Sequence, residues 1–422
     1  MSIAWQATLR ALRRDWLNRR LPHGLVHPGY LLPRPPAAMA WRRTLWWRAL
    51  GRIPGPFVLL RELTILLRWW LFLAPADCRR VAEGLARSRS DLTRDDISAI
   101  DQELLRLARR WCIPPALAVE FGLTPRARGP AADLTRHALC HLYPSETLSW
   151  HQQRRELDAH PEAAHGLLLL QDKAVWADRA RALGIASPQT LARVPAGDAP
   201  RLDTWWTPAR ALFCKPAKGS RGIDAFAVEP LPAQPEAAVA RGVDGRTTLG
   251  RSAIEERWRR AVAAQDMLVQ DLVQECAALT PLAGRPGSIT VRVITRRPTG
   301  QDGWTQAPAV HSATLEIPHV QPGRFWLLQI DPRDGRSTAR VTPAGADAPR
   351  LPTDWALPHW DRVLRQSVLA HEAVRGLPDV AWDWIVGDQA AWLLEGNASF
   401  GWVADQTLSG PMFKTPPVAQ TG

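Results

Sequence analysis

ALFCKPAKGSRGID, residues 211–224, is the stretch on which the reading of the fold turns. Its first half, Ala211 to Cys214, is a short apolar run of strand type that delivers Lys215. A loop of small and basic residues follows at once: Lys218, Gly219, Ser220, Arg221 and Gly222. Glycines let backbone N–H groups approach an anion closely and ammonium groups add compact charge, so such a loop suits a polyphosphate. Lysine usage sharpens the point. The chain has 53 Lys and Arg together, yet lysine stands only at Lys173, Lys215, Lys218 and Lys414. Where Arg is the default, two lysines within four residues mark a place that favours a point charge over a planar fork. A plain surface turn between two strands is the alternative reading of the segment taken alone.

Upstream, QDKAVWADRARALGI reads as a helix from Asp172 that Gly184 stops, followed by a turn and a strand. Downstream come a Pro/Ala/Gly-rich connection over 230–250, a helix over 254–264, and β-type runs at 267–275, 289–297, 309–317 and 325–331. A helix is expected over 360–375. DVAWDWIVGDQAAWLLEGNASFGW, residues 379–402, then reads as a hairpin followed by a loop. Glu395 and Asn397 are two apart on a strand and share a face. With Asp388, Gln389 and Ala390 as the hairpin loop, Asp383 falls opposite Glu395 on that face. Two carboxylates and an amide oxygen suit Mg2+, which takes a few hard oxygens beside water and phosphate. A solvated hairpin face is the plainer alternative. The lysine loop upstream tips the balance toward the metal.

The remainder of the chain bounds the possibilities. Its 422 residues, 46% hydrophobic and 22% charged, allow two or three folded domains. Residues 1–75 hold twelve Arg against Asp15 and Glu62, so this segment carries most of the net charge of +12. Seven of the 21 tryptophans lie there as well, a mixture suited to an anionic membrane surface. The segment up to residue 55 is expected to form short basic helices broken by Pro and Gly. FVLLRELTILLRWWLFL, residues 57–73, is amphipathic with a narrow polar stripe of Arg61, Glu62, Thr64 and Arg68. It reads as a buried helix, with an interfacial helix as the alternative and three charges opposing a span. Five cysteines without a C-x-x-C pair, and a start lacking an uninterrupted apolar run, point to a reduced, cytoplasmic protein. His137, Cys140, His141 and His151 are close in sequence but complete no zinc pattern, and read as structural. Nucleic-acid binding is disfavoured because no recognition module accompanies the Arg/Trp segment. Phosphate-binding motifs of the P-loop and dinucleotide types are absent.

QDKAVWADRARALGI, FCKPAKGSRGID, LVQDLV, ITVRVITRR, the Asp334–Gly335 turn and WDWIVGDQAAWLLEGNASFGW, in this order, resemble the ATP-grasp superfamily. Within it they are similar to the sugar-transfer-associated group, over roughly 166–405. The resemblance implies Lys173 and Lys215 as phosphate ligands and Lys218, Gly219, Ser220, Arg221 and Gly222 as a loop closing over the phosphates. It implies Gln270, Asp271, Leu272 and Val273 as a hinge for adenine, with Glu275 as a ribose contact. Arg292 is placed near the γ-phosphate and the acceptor, and Asp383, Glu395 and Asn397 as Mg2+ ligands. The chain departs from the group in carrying QEC after the hinge, where relatives carry His-Pro, and in having Arg221 in the loop.

The expected fold is therefore α+β: an ATP-grasp fold whose two α+β lobes sandwich ATP, preceded by a mostly helical region. The expected divisions are 1–165, basic and Trp-rich; 166–275, the small lobe with the phosphate loop; and 276–410, the large lobe with the Mg2+ hairpin. The expected activity is ADP-forming ligation of a small carboxylate to an amine, through an acylphosphate, on a sugar- or envelope-linked substrate. Cofactors would be ATP and Mg2+, with Arg292 and Lys215 catalytic. The alternatives are a kinase of the same fold acting on a hydroxyl, and a peripheral membrane or partner-binding protein with a regulatory nucleotide site.

Overall fold

The computed structural model describes residues 29, 33, 37–50, 55–88, 92–123, 140–144, 146–147, 150–152, 162–198, 200–207, 210–219, 224–231, 234–242, 247–283, 288–298, 306–318, 325–342, 349, 351–352 and 354–413. It divides into two compact units, Met1–Gln153 with Gly401–Gly422, and Arg154–Phe400.

The first unit is helical: α1 Ala37–Leu50, α2 Gly55–Arg68, a π-turn Trp69–Leu73, α3 Ala74–Ser88, α4 Arg94–Trp111 and α5 Pro115–Glu120. Helix α4 starts at a capping box, in which the Thr93 hydroxyl accepts from the Asp96 N–H and the Asp96 carboxylate accepts from the Thr93 N–H. Its apolar face (Ile100, Leu104, Leu107) joins Trp69, Ala82, Phe121 and Leu123 in one core. A short helix, Val403–Ser409, follows the stretch read as a hairpin and loop over 379–402. Gln406 on it both donates to the Leu142 carbonyl and accepts from the Leu142 N–H, each at 2.7 Å. That pairing of remote segments is invisible to local pattern. His141 is buried against Phe121, and His151 stacks on Trp402. Cys140 is buried too, while His137 lies outside the described residues.

Helix α2 carries apolar residues on both its inward and its outward side. Arg61 and Glu62 are buried and paired at 3.3 Å, alongside Ile65, Leu66 and Trp69. Leu59, Leu60, Leu63, Leu67, Leu71 and Phe72 are exposed. No helix among the described residues is long and apolar enough to cross a membrane.

The second unit opens with α6 Ala163–Gln171 and α7 Lys173–Ala182, and is built on two six-stranded sheets in which every pairing is antiparallel. The first sheet has the order β1-β6-β2-β3-β4-β5, with β1 Thr190–Val194, β2 Leu212–Pro216, β3 Phe226–Leu231, β4 Gln234–Gly242, β5 Thr247–Leu249 and β6 Met267–Asp271. Helix α8, Arg251–Ala264, lies between β5 and β6 in sequence and buries Ile254, Trp258 and Val262 with Leu212, Cys214, Phe226 and Val228. Strands β4 and β5 replace much of the connection expected over 230–250. Ala-rich β4 has weak strand propensity of its own and is held by its ladder to β3.

The second sheet has the order β10-β9-β8-β7-β11-β12, with β7 Thr290–Arg296, β8 Ala309–Pro318, β9 Phe325–Ile330, β10 Ser337–Thr342, β11 Asp379–Val386 and β12 Ala391–Asn397. Helix α9, Trp360–Ala373, packs on it through Trp360, Val363 and Ala370. The core is rich in tryptophan, and two of its buried indoles, those of Trp382 and Trp384, find hydrogen-bond partners. Trp382 stacks on Trp176 and donates to Thr295 Oγ1 at 2.8 Å, while Trp384 donates to Ser367 Oγ at 3.0 Å.

Candidate active site

Lys215 owes its position to the alternation of β2. Leu212 and Cys214 point into the core beneath α8, so Phe213 and Lys215 point to the other face of the sheet. There Ala217 and Leu268 meet Ala174 of α7. The start of α7 is held firmly. Asp172 Oδ1 caps the N–H groups of Ala174 and Val175, Asp172 Oδ2 pairs with Arg193 at 3.0 Å, and the Lys173 N–H donates to the Ala217 carbonyl at 2.9 Å. Lys173 Nζ then reaches the Gly219 carbonyl at 2.6 Å and Glu395 Oε2 at 3.5 Å. Gly219 has φ +116, a conformation that excludes ordinary side chains. Lys218 beside it is exposed, while Ser220, Arg221 and Gly222 lie outside the described residues.

The carboxylates come from the hairpin β11–β12. Asp383 pairs with Glu395, as the sequence leads one to expect, but by another route. The connection is one residue longer, leaving Val386 opposite Ala391, and a bulge at Leu394 restores the register. Without the bulge Asp383 would face Leu394, and Glu395 would turn to the opposite side of the sheet. Gly396 between Glu395 and Asn397 has no room for a side chain, since a Cβ there would lie 2.3 Å from the Trp382 ring. The Asn397 amide nitrogen donates to Asp383 Oδ2 at 3.0 Å and Glu395 Oε1 at 3.4 Å, which brings the three predicted metal ligands together.

Arg292, on β7 directly opposite Asp383, grips it with both arms, Nε to Oδ1 at 2.8 Å and Nη2 to Oδ2 at 3.0 Å. Its remaining arm meets Glu316 Oε1 at 2.7 Å. Glu316 went unrecognised at the sequence level. Its one signal is an acid inside the apolar run ATLEI of β8, where Thr290 Oγ1 also reaches it at 3.5 Å. Burial raises the pKa of both Asp383 and Glu316, and Arg292 opposes that shift in each. Burial also disfavours charge on Arg292, but the carboxylates of Asp383 and Glu316 outweigh it and raise its pKa. Lys215 is pushed down to about 8, first by burial and then by Lys173, against the pull of Glu395 and Asp383. Three cations and three carboxylates thus converge, and the lysine in their midst carries the burden of burial.

The residues expected to form a hinge sit apart from this cluster. Asp271 pairs across the sheet with Leu212, three residues from Lys215, or about 10 Å along the strand. Gln270 is buried and donates to Thr190 Oγ1 at 3.0 Å, while Asp271 pairs with Arg210 at 3.3 Å. The amides of Asp271 and Leu272 are committed to the Gln189 and Ala211 carbonyls. Val273 is half-buried and Glu275 is buried.

The donor set fits a hard divalent cation: two carboxylates and an amide on one sheet face, with Lys215 and Lys173 facing them. Among the described residues no three His, Cys, Asp or Glu form a metal group, so the amide of Asn397 would have to be the third donor. Asp383 is meanwhile held by Arg292.

No family model and no curated protein matches the sequence. Among solved structures the chain is similar to D-alanine–D-alanine ligase from Bacillus anthracis, crystallised with ATP, at 10% identity over 55% of each chain with a TM-score of 0.32. It is likewise similar to D-alanine–D-alanine ligase from Helicobacter pylori, at 11% identity over 59% of this chain and 58% of that one with a TM-score of 0.35. L-amino acid ligase from Bacillus licheniformis matches at 11% identity over 57% and 43% with a TM-score of 0.32. The match spans about half the length of these enzymes, and likenesses of this order fix neither activity nor substrate.

Proposed function

We propose that residues 166–405 form an ATP-grasp-type site that transfers the γ-phosphoryl group of ATP to a carboxylate. The observation that carries the reading is the convergence of Lys173, Lys215 and Arg292 on Asp383, Glu395 and Asn397. The order of the sequence motifs named above supports it independently. Lys215 and Lys173 bind the phosphates, where a phosphate would restore the proton that burial loosens on Lys215. Arg292, released from Asp383 and kept by Glu316, steadies the charge on the transferring group. Asp383, Glu395 and Asn397 hold Mg2+, which when bound offsets the charge of the phosphate oxygens. Residues 218–222 cover the phosphates, and the segment from Gln270 to Glu275 receives the base and ribose.

The carboxylate oxygen attacks the γ-phosphorus, the bond to the β-γ bridging oxygen breaks, and ADP leaves. Attack of an amine on the acylphosphate carbon then expels inorganic phosphate and leaves an amide. We place the substrate among sugar- or envelope-linked carboxylates, and the protein in the cytoplasm at the inner membrane face. This placement rests on the group resemblance and on the positive charge of residues 1–75. The test is incubation with Mg2+, ATP and pools of amino acids and sugar acids, scoring nucleotide products. ADP formation that needs a carboxylate and an amine is the expected result. AMP as the sole product refutes the acylphosphate, and ADP that follows a hydroxyl compound alone makes the protein a kinase.

A further inference from the structure

Helix α2 and the π-turn after it bury Ile65, Leu66 and Trp69 and carry a second apolar face outward. Leu60, Leu63, Leu67 and Leu71 recur at spacings of three and four, which keeps them on one side, and they remain 56%, 43%, 45% and 62% exposed. Leu59 and Phe72, the latter 68% exposed, extend the stripe at its ends. A folded domain normally turns such a face inward, and a contiguous apolar patch left outside marks a binding surface. Here the inward side is already filled by Ile65, Leu66 and Trp69, together with Arg61 and Glu62, which pair with each other.

From this geometry we infer that the leucine face of α2 is a docking surface for an anionic lipid bilayer, on which the helix lies flat. This deepens the membrane reading above and is independent of the ligase reading. Three observations choose the bilayer. The exposed residues of the stripe include no acid, because Glu62 is turned inside. Arg109, exposed on α4, donates to the Trp70 carbonyl at 3.5 Å and so sets a guanidinium at the C-terminal end of the stripe. The stripe also belongs to the segment of residues 1–75, with its twelve Arg against two acids, a balance that attracts anionic headgroups and repels a second copy of the same chain. From Leu60 to Leu71 the face runs about 16 Å, enough to immerse leucines at headgroup depth without spanning.

The test uses the full chain in flotation with phosphatidylcholine vesicles, with and without phosphatidylglycerol. Wild type is expected to float with the anionic vesicles and to be released by salt. The triple variant Leu60→Gln, Leu67→Gln, Leu71→Gln should lose binding by about tenfold or more while keeping the wild-type melting temperature, because the three residues are exposed. A second measurement does not depend on that variant: Leu67→Cys labelled with an environment-sensitive fluorophore should shift to the blue on anionic vesicles. Absence of flotation overturns the inference. So do equal flotation of the triple variant, an unshifted fluorophore, or a wild-type dimer that the triple variant abolishes. None of these outcomes reads ATP turnover, so they leave the ligase reading untouched.

Discussion

Replacing Lys215 with methionine should make the nucleotide-free protein more stable. Burial leaves the folded-state pKa of Lys215 at about 8 against an ordinary value of 10.5. At pH 7 that depression corresponds to about 3 kcal/mol of unfavourable charge burial, at about 1.36 kcal/mol per unit. The attraction of Glu395 and Asp383 is already contained in the net shift, so a neutral side chain of similar length removes the cost as a whole. Between pH 8 and 10.5 the unfolded chain binds the proton that the folded lysine has lost, so wild-type stability rises with pH and the advantage of the variant shrinks. Thermal melts from pH 6 to 10.5 should show K215M about 5–10 °C above wild type at neutral pH, with the gap closing at the alkaline end. Adding Mg2+ and ATP should reverse the order, raising the wild type and leaving the variant unmoved. A variant that melts at or below wild type at pH 7, or a gap that ignores pH, would refute the burial argument.

Glu316→Gln should leave Arg292 on Asp383 alone, lowering kcat by about tenfold, or about 1.4 kcal/mol, with a smaller change in KM for ATP. Equal kinetics for E316Q and wild type would deny Glu316 any role in placing Arg292. Gly396→Ala sets a methyl group against Trp382 and should destabilise by about 1–3 kcal/mol in urea unfolding while weakening Mg2+-dependent ATP binding. Buried His371 donates from Nε2 to the Leu377 carbonyl and pairs through Nδ1 with Thr295 Oγ1, at 2.7 Å each, and burial lowers its pKa to about 4. The unfolded histidine protonates first, near 6.5, so stability should fall by about 3 kcal/mol as pH drops from 6.5 to 4. Urea midpoints of H371Q should lack that part of the slope.

The site was more legible than its surroundings, and particular residues show why. Strand alternation is a local property, so Glu395 and Asn397 could be put on one face from sequence. The bulge at Leu394 and the longer connection cancel each other, and the pairing with Asp383 survives both. Glu316 escaped notice because its role depends on β8 lying beside β7, a register that no local pattern specifies. Strand β4 and the helix Val403–Ser409 escaped for the same reason, each being held by partners outside its own segment. Helix α2 teaches the converse. Its periodicity was plain, but a helix apolar over most of its circumference does not say which residues face inward, and the pairing of Arg61 with Glu62 lets both accompany Ile65, Leu66 and Trp69 there.

The acylphosphate is the central claim, and isotope transfer tests it most directly. The protein is incubated with Mg2+, ATP, an amine pool and carboxylates labelled with oxygen-18, and the released phosphate is analysed by mass spectrometry. One labelled oxygen per phosphate is expected, because the attacking carboxylate oxygen leaves with the phosphoryl group when the amine arrives, and Glu395→Gln should abolish it. Unlabelled phosphate, or label recovered in AMP, would contradict the claim.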